Sequence, residues 1–406
     1  MKIHIMSAVL MAAVAGQCIA VPKKLRAKAP LSHNVTTLVW HRGNKLEGAR
    51  LNGGKVAVLR DRFLASDEIV FDMPSWNFSP NGRQLAFTGA PGDVDFFDAG
   101  AYREYLFLTP FNGRPRVLAA AYGRRAIYED ERPSYSFPHF TANGQKVVVD
   151  ERAIGQFMED PSPAWVSIYD IKTRRRTFDS RTFVATLPHN ETQKLLSASL
   201  LKYAALSPDG NDLVCFATPD DGDSLSELYT KESVVPPTQL VHLDLRHKRA
   251  QILASLDDQF SVERMTITTN GSSLDRAIRV LMPQFAWHPT QKKFVFAGPV
   301  SATDPAVNLF IYDLNKRQMT PFSTGSKDDF SPQWSLDGKQ IFWVRGSTNA
   351  QNISDNQIFR ANADGSNPAR LFPAIKGITQ IQLLPQIADW TRYRKLDIKP
   401  LAGQDK

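Results

Sequence analysis

Cysteine is almost missing from this sequence, and what is missing narrows the reading before any motif is considered. Of its 406 residues two are cysteines, Cys18 and Cys215. Cys18 falls within the first twenty residues, and Cys215 sits inside the apolar run Leu213-Val214-Cys215-Phe216-Ala217. A disulfide framework is therefore excluded once the N-terminus is processed, and Cys215 reads as a small core hydrophobe. No G-x-S-x-G elbow occurs, which argues against a serine hydrolase of the α/β type. No phosphate-cradling or dinucleotide-type glycine loop occurs either. The histidines are scattered and never paired at metal-ligand spacing. Long apolar runs are missing beyond the start of the chain, so no later segment approaches a helical membrane span.

The start itself reads as a secretory signal. Met1-Lys2 is basic, residues 3–15 are apolar but short for a bilayer, and small residues precede cleavage points after Ala15 or Ala20. An uncleaved anchor and a lipid attachment at Cys18 are the competing readings. The chain then divides into a signal peptide at 1–20, a flexible basic lead-in at 21–34, a repeat region at 35–396 and a tail at 397–406. The expected location is outside the cytoplasm, periplasmic or secreted. The formal net charge of +8 favours anionic partners or surfaces.

What the chain has in quantity is one repeated pattern, clearest at 331–372. Pro332-Gln333-Trp334-Ser335-Leu336-Asp337-Gly338-Lys339 leads into Gln340-Ile341-Phe342-Trp343-Val344. Gln357-Ile358-Phe359-Arg360 then precedes the turn at Asp364-Gly365 and the run Arg370-Leu371-Phe372. Asp-Gly steps between aromatic and β-branched runs are hairpin chemistry, because glycine accepts positive φ without steric cost. Two hairpins make a four-stranded antiparallel unit. Further copies start at Trp76, His139, Tyr203 and Phe285, and 50–59 resembles a second hairpin without a first. Residues 378–390 supply the missing first hairpin. The copy at Trp287 departs from the pattern, with Thr290-Gln291 in place of Asp-Gly. The expected architecture is all-β: a six-bladed β-propeller of four-stranded antiparallel blades, its ring closed by pairing N- and C-terminal strands. A seventh blade within 255–281 is the alternative count.

The recurring Pro-x-(Trp/Phe)-Ser-Pro-Asp-Gly-(Lys/Arg), carried best by Trp334 to Phe342 and by Leu206 to Phe216, resembles the TolB-type β-propeller repeat, a WD40-like repeat. The resemblance covers nearly the whole mature chain and implies the propeller directly after the lead-in. The separate N-terminal α/β domain of that family's namesake is not expected here.

Such a topology puts the tight turns within hairpins on one rim and every long insertion on the other. Binding residues concentrate on long loops held by a rigid scaffold. The candidate ligand or partner contacts are therefore Asp95, Asp98, Glu131, Glu151, Asp220, Asp223, Asp328 and Asp329, on the long-loop rim around the channel mouth. The tight-turn rim is rich in Lys and Arg and suits an anionic surface. No catalytic residue and no metal ligand is assigned. No cofactor is expected beyond calcium, which the stretches Asp93-x-Asp95-x-x-Asp98 and Asp220-Asp221-Gly222-Asp223 could gather. His139 and His288, beside first-hairpin aromatics, read as structural. The expected function is binding or scaffolding of an envelope or extracellular protein, or of a small ligand, without nucleic acid. The alternative is a propeller enzyme, a hydrolase or lyase acting on a sugar, lactone or peptide with acidic residues at the channel mouth.

Overall fold

A computed structural model describes residues 37–42, 45–51, 56–60, 69–70, 76–91, 105–110, 116–120, 132–154, 164–219, 239–256, 285–301, 304–347 and 354–384. Among them the strands run in chain order. β1 (Thr37–Arg42), β2 (Lys45–Arg50) and β3 (Ala57–Arg60) come first. Then follow β4 (Ile69–Val70), β5 (Trp76–Phe78), β6 (Gln84–Pro91), β7 (Tyr105–Pro110) and β8 (Arg116–Ala120), which form blade 1. Blade 2 is β9 (Arg132–Phe140), β10 (Lys146–Ile154), β11 (Ala164–Asp170) and β12 (Arg176–Asp179). Two helices, α1 (Ser180–Ala185) and α2 (Glu191–Ser197), lead to blade 3: β13 (Ser199–Leu206), β14 (Asp212–Pro219), β15 (Gln239–Asp244) and β16 (Arg249–Ser255). Blade 4 holds β17 (Phe285–Trp287), β18 (Lys293–Ser301), β19 (Asp304–Asp313) and β20 (Gln318–Pro321). Blade 5 holds β21 (Asp328–Trp334), β22 (Gln340–Gly346), β23 (Gln357–Asn362) and β24 (Ala369–Leu371). The last strand, β25 (Ile378–Leu384), joins β1, β2 and β3 as blade 6.

The propeller thus has six blades. Blade 4 packs directly on blade 3, where Trp287 Nε1 donates to the Ala205 carbonyl at 2.9 Å, so no further blade stands between them. Closure pairs the two ends of the chain, but three strands to one rather than two to two. β25 is antiparallel to β1, with Thr37 opposite Leu384 and Trp40 opposite Ile381. β1 therefore takes the place expected for a second C-terminal strand at 387–390, a stretch outside the described residues. Residues 1–36, 257–284 and 397–406 lie outside them as well, and the signal, lead-in and tail are not described.

The repeated turn explains why the copies are so regular. Ser79, Thr141, Ser207 and Ser335 each donate from the side-chain hydroxyl to the Asn or Asp two residues on, at 2.6–2.8 Å. The same hydroxyl accepts the amide five residues on, as in Gln340 N to Ser335 Oγ at 2.9 Å. A glycine at positive φ completes the turn, with Gly338 at φ 69°. In blade 4 the pattern is kept by different chemistry. His288 Nδ1 accepts from the amides of Thr290 and Gln291 at 3.1 and 3.0 Å. Its ring lies edge-on to Trp334, with centroids 4.7 Å apart. It also fills the space beside Gly338, where a Cβ would come 2.3 Å from Nε2. His288 is thus structural, and Gly338 is required both by its φ and by its neighbour.

Each blade buries one aromatic and aliphatic layer against the next. Cys215 lies in the layer between blades 2 and 3, and burial pushes its thiol pKa up, as for a core hydrophobe. The stretch after β12 holds the two capped helices. Asp179 accepts from Arg181 N, Asn190 accepts from Gln193 N, and Phe183, Val184, Leu187 and Leu196 enter the same layer.

The blade junctions are also bridged by hydrogen bonds between inner strands. Gln382 in β25 accepts from Phe78 N at 2.7 Å and donates to Phe78 O at 2.8 Å. Asn77 Oδ1 accepts from Phe140 N at 3.1 Å, and Asp150 accepts from the amides of Tyr203 and Ala204. Trp287 and Trp334 donate backwards to the carbonyls of Ala205 and Ala286. Ser331 Oγ accepts from Ile381 N at 3.1 Å, which completes the circuit.

Two outcomes follow for stability. Gln382→Ala removes both hydrogen bonds to the buried backbone of Phe78 and should cost roughly 2–3 kcal/mol in chemical denaturation, without changing the far-ultraviolet spectrum. His41, buried in β1 with Nδ1 3.0 Å from Thr379 Oγ1, has its pKa lowered by burial to about 4. A histidine held neutral in the folded state gives full stability above its unfolded pKa and loses it as pH falls towards 4. Between pH 7 and pH 5 the loss from this group is about 2 kcal/mol. Denaturation midpoints measured across that window should fall, and His41→Gln should flatten the fall.

Candidate functional site

The inner strands of all six blades wall a narrow central cavity of about 30 Å³, room for about two waters. Its level is set by the repeated turn, because the lining residues precede the turn serine at fixed offsets. Asn77, His139 and Gln333 stand two residues before Ser79, Thr141 and Ser335, and the smaller Ala205 takes that place in blade 3. Trp76, Phe137, Tyr203 and Phe285 add aromatic surface, and Gln380 comes from β25. No lining residue carries a formal charge at neutral pH. Burial lowers the pKa of His139 to about 4, so its imidazole is neutral.

The aromatic wall is shaped by a repeated irregularity. Register shifts interrupt β9, β13 and β21 opposite β10, β14 and β22. At these places Phe137, Tyr203 and Ser331 adopt φ of 50°, 57° and 51°, a left-handed conformation unfavourable for side chains with a Cβ. The Asp150 carboxylate holds the Tyr203 bulge in place from the neighbouring blade. Phe137 and Tyr203 consequently meet across a junction, with ring centroids 4.8 Å apart.

Of the carboxylates expected on the long-loop rim, Asp95, Asp98, Glu131, Asp220 and Asp223 lie outside the described residues. Glu151, Asp328 and Asp329 are described, in blades 2 and 5, and the structure does not bring them together. Glu151 is 1% exposed and accepts from Trp165 Nε1 at 2.7 Å, from the Tyr169 hydroxyl and from Arg176 at 3.4 Å. Burial, and then the charge of Glu151, raise the Tyr169 pKa. Asp329 is fully buried; Oδ1 accepts from Trp343 Nε1 at 2.8 Å and from Arg345 Nε at 2.7 Å, while Oδ2 accepts from Arg345 Nη2 at 2.6 Å. Asp328 accepts from Val307 N at 3.0 Å and ties blade 5 to blade 4. Blade 6 repeats the carboxylate–tryptophan–arginine arrangement with Glu47, Trp40 and Arg42. None of these carboxylates lines the central cavity.

Among the described residues no group of three or more His, Cys, Asp and Glu side chains is placed to hold a metal ion. The two acidic stretches read as candidate calcium ligands lie outside them. No described helix is long and apolar enough to cross a membrane. A second hollow, on the tight-turn rim between blades 2 and 3, is lined by Ile168, Phe178, Leu206 and Leu245 with Lys146 and Asp209.

No protein-family model matches the chain, and no curated protein does. Solved structures do. TolB from Acinetobacter baumannii is 13% identical with a TM-score of 0.48, covering 86% of this chain and 66% of its own. A puromycin-hydrolyzing peptidase from Mycobacterium tuberculosis is 10% identical with a TM-score of 0.45, covering 84% of this chain and 44% of its own. An oligogalacturonate lyase from Vibrio parahaemolyticus is 11% identical with a TM-score of 0.42, covering 84% and 73%. This chain thus spans about two thirds of the length of the first and under half of the second. The propeller assignment rests on the six sheets and their closure.

The buried carboxylates should behave as structural groups. Asp329→Ala leaves the half-buried Arg345 guanidinium and the Trp343 indole without their acceptor and should cost roughly 3–5 kcal/mol. Equilibrium denaturation of the purified variant measures it; a loss below about 1 kcal/mol would mean that Asp329 is free for another role.

Proposed function

We propose that the protein is an exported binding propeller that uses its long-loop rim and channel mouth to bind a protein partner or a small ligand, with the narrow central cavity taking an uncharged group of it. The observation that carries this reading is the lining itself: aromatic faces from Trp76, Phe137, Tyr203 and Phe285 alternate with the amides of Asn77, Gln333 and Gln380 and a neutral imidazole, with no charged side chain. Binding sites of this kind are concave, largely preformed, and combine apolar walls with a few polar groups that fix orientation. His139 and Gln333 supply a donor and acceptors, and the bulged aromatics supply stacking surface. Export is inferred from the basic start and short apolar run of residues 1–20.

Gln333 lines the cavity from β21 and is half-buried, so Gln333→Phe places a ring in the narrow space. Molecules recovered from the native extracellular or periplasmic extract on immobilised protein, and identified by mass spectrometry, should be retained by the wild type and lost by this variant. Equal retention by both would place binding elsewhere. Because the wall holds no group that titrates near neutrality, retention should be flat from about pH 6 to pH 8.

A further inference from the structure

The tight-turn rim carries an unusual choice of residues at one recurring position. The outer hairpins of blades 2, 3 and 4 turn through Asp170 to Arg175, Asp244 to Arg249 and Asp313 to Gln318. In each, one residue adopts the left-handed conformation that favours glycine or asparagine, and each time it is a cation: Arg174 at φ 56°, Lys248 at φ 51° and Arg317 at φ 51°. Blade 5 shows what local preference alone gives, since its outer turn uses Gly365 and Asn367 at the positive φ positions. The turn does not ask for these cations, and backbone geometry opposes them.

Their charge is also left uncompensated. The one carboxylate of each turn folds onto its own backbone: Asp170 accepts from Thr173 N at 2.7 Å, Asp244 from His247 N at 2.9 Å and Asp313 from Asn315 N at 3.0 Å. Arg174, Lys248 and Arg317 are exposed, and none of them forms an ion pair among the described residues. Lys172, Arg246 and Lys316 stand exposed beside them in the same turns. The result is an arc of cations along three adjacent blades.

The same rim holds the two exposed large hydrophobics found among the described residues. Leu336, 44% exposed, stands at the tip of the inner turn of blade 5, and Met319, 40% exposed, follows the outer turn of blade 4. Cations with interspersed exposed apolar side chains, and no exposed aromatic among the described residues for stacking on bases, fit a lipid interface better than a nucleic acid. We propose that the tight-turn rim of blades 2 to 5 docks on an anionic phospholipid surface, with the cations meeting phosphate headgroups and Leu336 and Met319 entering the interface.

Flotation of the full-length protein with vesicles tests this. Vesicles of equal parts phosphatidylglycerol and phosphatidylcholine should carry the protein at low salt and release it at high salt, and phosphatidylcholine vesicles should not carry it. The variant Arg174→Gly/Lys248→Gly/Arg317→Gly relieves three unfavourable turns, so its thermal midpoint should hold or rise while vesicle affinity falls on the order of a hundredfold. Leu336→Asn should weaken vesicle binding and leave binding to heparin unchanged. Absent or salt-insensitive vesicle binding, or full binding by the triple variant, overturns the proposal. Stronger binding to duplex DNA than to the anionic vesicles overturns the lipid assignment.

Discussion

Six separate sheets standing in a ring need something other than strand pairing to fix their mutual position. Face-to-face burial of aromatic and aliphatic side chains supplies attraction without direction. Direction comes from the inner strands, where side chains of one blade reach the backbone of the next. The Gln382 amide brackets Phe78 on both its donor and its acceptor. The Asp150 carboxylate secures the amides that the bulge at Tyr203 takes out of the strand ladder. Each of these bonds is nearly isolated from water, so each satisfies a backbone group that would otherwise be costly to bury. The width of the cavity, the tilt of Phe137 against Tyr203 and the position of His139 all depend on this ring of contacts.

The scaffold was legible in the residues because its signals are local. A serine, an Asx and a glycine within four positions specify the inner turn, and strands on either side follow from aromatic and β-branched runs. What escaped were pairings made over distance. Glu151 reads as an exposed loop acid, since nothing next to it announces that Trp165 and Tyr169, fourteen and eighteen residues later, close over it. The His288 segment reads as a broken copy because the turn's acceptor had moved from a hydroxyl to an imidazole nitrogen. The helices after β12 had a visible signal in Asp179 and Asn190, two capping residues ahead of short apolar runs, overshadowed by the surrounding polar composition. The cavity residues had one too: whatever stands two places before the turn serine faces the centre.

The two rims divide the molecule's chemistry. One is built from turns whose carboxylates are consumed in holding their own backbone, which leaves the cations facing outward. Among the described residues the other carries buried carboxylates beneath tryptophan and arginine, as in Asp329 with Trp343 and Arg345, which lend rigidity to the ends of the strands. Between them the cavity is neutral. A cationic rim of this kind steers the molecule towards anionic surfaces before contact is made.

The closing strand has a consequence in time. β25 completes the blade that β1 to β3 begin, yet more than three hundred residues separate β3 from β25. At ordinary rates of synthesis the interval lasts on the order of tens of seconds. Throughout it, the inner edge of β1 is an unpaired ribbon waiting for a partner, open to any other strand that comes by. The ring can shut only when the far end of the chain arrives, so this protein cannot mature piecemeal from its beginning: its first strands are among its last to find their place.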